Sequence, residues 1–136
     1  NSVYVPCWNT YLYKLKTSSG QLEWQFQLGG ILTEPPTITA MGVFQHVAGR
    51  GLTAIDKNSG DELWSIPDAI SFLSQSPSKT FAISADRNCI IIDNESSKEI
   101  ARVNFSQTQL QLANPVDAKM YVADRSGRIA CYEPIK

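Results

Sequence analysis

The 136 residues predict an all-β chain of repeated four-stranded antiparallel sheets, a β-propeller. The first ground is a sentence written twice. Leu12-Tyr-Lys-Leu-Lys-Thr-Ser-Ser-Gly20-Gln-Leu-Glu-Trp24 and Leu52-Thr-Ala-Ile-Asp-Lys-Asn-Ser-Gly60-Asp-Glu-Leu-Trp64 match, with the two tryptophans 40 positions apart and the glycines at the same offset. The second ground is period. Short runs alternate apolar and polar residues, as a pleated strand requires, and no amphipathic stretch follows a helical period. The third is the repeat length. Self-similarity at about 40 residues with four strands per unit points to propeller blades, because one small sheet cannot bury both of its faces and neighbouring copies must cover it.

Each element follows from local chemistry. Strands are expected at 3–5, 11–16 and 21–28, with Leu22, Trp24, Phe26 and Leu28 on one side of the last. Gly29-Gly30 breaks the run, and Pro35-Pro36 is barred from a mid-sheet position. A short strand at 37–40 precedes strands at 43–47, 52–56 and 61–66. The stretch from Asp56 to Gly60 is turn chemistry: Asp and Asn bond their own backbone, and Gly accepts positive φ. Strands follow at 69–73, 80–84, 89–93 and 98–105, then at 109–113, 119–123 and 129–132. The third copy lies at an offset of 37, with Asp56 on Asp93, Phe44 on Phe81, Gly60 on Ser97 and Trp64 on Ala101. With the strands of a unit labelled a to d, the chain reads bcd, abcd, abcd, abc. The units are 1–28, 29–67, 68–106 and 107–136, about four blades of which two are incomplete. Because the chain starts and stops inside blades, an arc of a larger ring is expected, or two chains completing one ring.

Composition narrows the function. Hydrophobic residues make up 43% and formal net charge is -1, without a charge run. That describes a globular chain and excludes nucleic acid as the main partner, which needs concentrated positive charge. No apolar run approaches the ~20 residues of a spanning helix. Asn1, rather than Met, opens the chain, as in a processed protein or a piece of a longer one. The three cysteines, Cys7, Cys89 and Cys131, have neither disulfide-framework nor zinc spacing and read as small buried apolar groups.

The stretch from Tyr121 to Tyr132, with its strand, Gly-containing turn and second strand, and the stretch from Leu52 to Trp64 resemble the two halves of the pyrroloquinoline-quinone-type (PQQ-like) propeller repeat. The resemblance covers nearly the whole chain and is weakest in the third copy. It implies that Trp24 and Trp64 dock between adjacent blades, and that the third copy, with Ala101 there, packs more loosely. It also favours an exported protein, periplasmic or extracellular. The same repeat builds quinone-dependent dehydrogenases and assembly scaffolds, so it does not assign a function.

The residues themselves favour a non-catalytic interaction or scaffold module. Dehydrogenases of the resembling family use adjacent cysteines and a calcium held by acidic and amide side chains; no cysteines adjoin here, so neither PQQ nor calcium is expected as a cofactor. The run from Asp56 to Asp61 has its Gly one place early for a calcium loop, and Pro67 stands where the last Glu belongs. His46 is the only imidazole, lies within a strand, and has no nucleophile motif beside it. The b–c turns instead carry Trp8, Arg50, Arg87 and Arg125, with Arg128 close by. An exposed Trp with several Arg residues is interface composition. The expected ligand is a protein partner or an acidic group at that turn face. The alternative is a fragment of a PQQ-dependent quinoprotein dehydrogenase.

Overall fold

A computed structural model provides the structure of the chain and describes residues 1–135. Every regular element among the described residues is a strand, and the strands form four antiparallel sheets. Sheet 1 contains β1 (Ser2–Pro6), β2 (Tyr11–Lys16) and β3 (Leu22–Gln27). Sheet 2 contains β4 (Thr37–Ile38), β5 (Gly42–Val47), β6 (Gly51–Asp56) and β7 (Glu62–Ile66). Sheet 3 contains β8 (Ala69–Gln75), β9 (Lys79–Ser84), β10 (Asn88–Asp93) and β11 (Lys98–Asn104). Sheet 4 contains β12 (Thr108–Leu112), β13 (Met120–Asp124) and β14 (Ile129–Tyr132). Strands within each sheet are hydrogen-bonded in chain order, so every sheet is a meander. This is the bcd, abcd, abcd, abc pattern.

Two strands differ from expectation by more than one residue at an end. The strand expected at 37–40 stops at Ile38, because the Thr39 hydroxyl accepts the N–H groups of Met41 and Gly42 and closes a turn (3.1 and 3.0 Å). The strand expected at 69–73 runs on to Gln75, with register shifts after Ala69 and after Phe72. In sheets 1, 2 and 3 the outer strand carries one extra residue at the same place, with register shifts at Lys14/Leu15, Ala54/Ile55 and Ile91/Ile92. Each is a β-bulge, which bends and twists its strand.

The chain forms two compact units, Asn1–Pro67 and Asp68–Lys136. In unit 1 the core is Leu12, Leu28, Leu32, Val43, Val47 and Ile55, with Tyr4, Trp24, Phe26 and Ile38 packed against it. In unit 2 it is Leu73, Phe81, Ile83, Cys89 and Met120, with Ile91 and Phe105 against it. Each large apolar side chain fully buried this way stabilises the fold by about 1.5–3 kcal/mol. The cysteines do not share one fate. Cys89 is buried, and burial pushes its thiol up to about 11. Cys7 is half-buried, just beyond β1, and Cys131 is exposed. The expectation that all three are buried is therefore corrected: Met120 carries one side of sheet 4 into the core, and Cys131 lies beside Tyr121 on the opposite side.

Candidate functional site

The four b–c turns close in the same way. The N–H of Thr10 donates to Cys7 O, Arg50 to Val47 O, Arg87 to Ser84 O and Gly127 to Asp124 O, at 3.0–3.2 Å. Thr10, Arg87 and Gly127 have φ of 74°, 64° and 80°. Only Gly127 adopts that conformation without a Cβ penalty. The turn in sheet 2 places Gly49 and Gly51 on either side of Arg50 and leaves Arg50 itself unstrained.

Trp8 projects from the first of these turns and is 80% exposed. Its neighbour Asn9 fixes the turn, accepting the Tyr11 N–H and donating to the Tyr13 hydroxyl (3.2 and 2.8 Å). Arg50 points back onto the protein. Its guanidinium donates to Leu28 O at 2.9 Å and to both oxygens of Glu62 at 3.0 and 3.1 Å. Both carboxylate contacts come from Nη2, so the charge of Arg50 is already paired. Glu62 was not singled out in the sequence, although Glu99 at the same repeat position could have drawn attention to both.

Unit 2 brings the other arginines together. Arg87, Arg125 and Arg128 line one open cavity of about 360 Å³, with Asp124, Ser126 and Gln109 among its other walls. Arg87 is anchored by a hydrogen bond from Nη1 to Thr108 O. Arg128 Nε donates to Asp124 Oδ2 at 3.0 Å. Arg125 is exposed and makes no hydrogen bond or ion pair among the described residues. Asp124 spends its other oxygen on its own turn, accepting the N–H groups of Ser126 and Arg128 (2.8 and 3.0 Å). The backbone N–H of Arg128 is the main reason that its carboxyl sits below the ordinary aspartate range. Three guanidiniums therefore surround one carboxylate that is already engaged, and the cavity is electropositive.

Trp24 lies on the next sheet of its own unit. Its indole Nε1 donates to Lys57 O at 3.2 Å, and its ring is 5.9 Å from that of Tyr4. A Cβ at Gly60 would stand 2.9 Å from Trp24 Cδ2, and Gly60 has φ of 81°. Glycine is thus required there twice over, by conformation and by the indole. Trp64, paired with Ala54, packs its ring 5.9 Å from Phe44.

The features weighed for a quinone or calcium site are dispersed among the described residues. The three cysteines lie in different sheets or turns. No group of three His, Cys, Asp or Glu side chains among the described residues could hold a metal ion. Asp56 Oδ1 is occupied by the N–H groups of Asn58 and Ser59, both at 2.8 Å, as a hairpin turn requires. His46 lies half-buried within β5.

The comparisons agree with this architecture. The family profile described as outer membrane protein assembly factor BamB matches residues 1–131. BamB from Moraxella catarrhalis superposes on 97% of the chain with a TM-score of 0.69 at 17% identity, and the chain covers 42% of it. The computationally designed proteins Ika4 and Ika8 each superpose with a TM-score of 0.70 over 98% of the chain, at 12% and 13% identity. The chain covers 85% of Ika4 and 43% of Ika8. At such identities the likeness shows the fold alone, and the chain spans less than half of the BamB and Ika8 structures. No curated protein sequence matches it. The matched profile and four meander sheets of three or four strands place the chain in the BamB family of PQQ-like β-propeller repeats.

Proposed function

We propose that the chain is a non-catalytic interaction module that docks a protein or another acidic ligand at its b–c turns. The observation that carries this reading is the convergence of Arg87, Arg125 and Arg128 on one polar cavity, with Arg125 unengaged. Guanidinium groups bind carboxylates through paired, charge-assisted hydrogen bonds, and Arg87 is held in place before a ligand arrives. Acidic side chains of a protein partner supply that chemistry. Trp8, at 80% exposure, is a second anchor on the corresponding turn of unit 1. Arg50 serves this function least, because Glu62 already occupies it. Export to the periplasm or outside the cell accords with the family described by an outer-membrane assembly factor.

A fluorescent hexaglutamate peptide, titrated against the chain by anisotropy, tests the reading. Binding that weakens steeply with added salt is expected, because contacts between exposed charges are screened. The Arg87→Glu/Arg125→Glu double variant should lose it while its circular dichroism stays unchanged. Equal binding by that folded variant, or by a hexaglutamine control, would overturn the proposal.

A further inference from the structure

The arginine cavity of unit 2 has an apolar neighbour. A second cavity of about 290 Å³ opens beside it, and Gln107, Asp124 and Arg128 wall both. Its other walls include Val122, Ile129, Ala130 and Tyr132. The register sets Val122 beside Ala130 and Met120 beside Tyr132, so alternation puts these four on one side of sheet 4. That side faces the core: Val122 is buried, and Met120 joins Leu73 and Phe81 of sheet 3. The Tyr132 ring lies 5.3 Å from that of Phe105. The two cavities are also tied together. Arg87 walls the first, and its Nη1 donates to the carbonyl of Thr108, which walls the second. Every wall of both lies between Arg87 and Tyr132.

A small anion satisfies guanidiniums and leaves the apolar walls wet. A peptide can fill both cavities. On an extended chain, side chains i and i+2 lie on the same side, about 7 Å apart, which suits adjoining cavities with common walls. We infer, as a refinement that rests on the acidic-ligand reading, that the ligand is a protein segment with an acidic side chain two residues from an aromatic one. The carboxylate meets Arg125, the guanidinium left unengaged, between Arg87 and Arg128. The aromatic ring lies against Val122, Ala130 and Tyr132. An aromatic side chain suits that place because it buries a large area and meets another ring there. Seating it also removes water from beside the ion pairs, which strengthens them.

Anisotropy with three fluorescent, C-terminally amidated peptides tests this: hexaglutamate, hexaglutamate extended by Ser-Phe, and hexaglutamate extended by Ser-Ser. The same extensions are also placed at the N-terminus, since an extended peptide can lie in either direction. In one direction the phenylalanine peptide should bind about fivefold more tightly than its serine control, the yield of a partly buried aromatic side chain. Ala130→Gln, which narrows the second cavity, should erase that difference. Equal binding of phenylalanine and serine peptides in both directions, with hexaglutamate still bound, overturns this inference and leaves the acidic-ligand reading standing. Failure of hexaglutamate to bind removes both. A difference that persists in folded Ala130→Gln places the ring elsewhere and overturns the inference as well. If that variant fails to fold, the wild-type comparison still decides.

Discussion

The two units use the same repeat and treat the same arginine in opposite ways. Arg50 and Arg87 occupy one turn position, Glu62 and Glu99 one strand position, and Ser65 and Arg102 another, each pair 37 residues apart. In unit 1, Glu62 clamps Arg50. In unit 2, Glu99 is held instead by Arg102 at 2.7 and 3.0 Å, and Arg102 also grips Asp68. No carboxylate pairs with Arg87 among the described residues. One substitution in an outer strand thus redirects a glutamate and leaves a turn arginine available. The ends of the outer strands diverge as well. Unit 1 has Trp24 and Gly60 in contact, whereas the matching positions in sheet 3 are Ala101 and Ser97.

The largest effect should come from breaking the tryptophan contact. Trp24→Ala removes packing on Gly60 and Tyr4 and a hydrogen bond to Lys57 O, at a cost of about 3 kcal/mol in urea unfolding. Acid should act next. The hydrogen-bonded Arg102 guanidinium holds Asp68 below its ordinary range, and the backbone N–H of Ser59 does the same for Asp56. A carboxyl depressed on folding contributes stability above its unfolded value, and that contribution is lost as pH falls through the folded value. The thermal midpoint should therefore be flat from neutral pH to about 5 and fall below about 4. Asp68→Asn should reduce that fall.

Smaller changes would sharpen the contrast between the arginines. Arg102→Ser installs the residue found in unit 1 and frees Glu99 to turn toward Arg87. Affinity for an acidic peptide should then drop about threefold, the scale of one exposed ion pair. Glu62→Gln should do the reverse in unit 1, releasing Arg50 and raising affinity by a similar factor. The smallest effect concerns Ser97, which holds φ of 57° where sheets 1 and 2 have Gly20 and Gly60. Ser97→Gly should stabilise the chain by up to about 1 kcal/mol, measured by the same urea unfolding.

The strand pattern was legible because it is written in local chemistry. Asp, Asn and Gly at the hairpins and alternation between them locate every meander, and even the degraded third copy keeps positive φ at Ser97. What stayed hidden depends on partners distant in sequence. Nothing near Arg50 shows that Glu62 will neutralise it, and Arg125 and Arg87 meet only because β9–β10 and β13–β14 turn the same way. Cys131 reads like Cys89 because both sit within short, largely apolar strands. Their difference in exposure is one of side: Cys89 packs with Met120 in the core, whereas Cys131 lies beside Tyr121 on the opposite side of sheet 4.

The extra residue in β3, β7 and β11 has a consequence for solubility. Glu23, Leu63 and Ile100 each interrupt the ladder, so three outer edges are bent where a straight one would template further pairing. The β13–β14 ladder runs without such a shift, and among the described residues no strand pairs with the far edge of β14. Of the outer strands described, β14 is therefore the one with a straight edge, and a lysine or proline on Ile129–Tyr132 should lower edge-to-edge association of this chain.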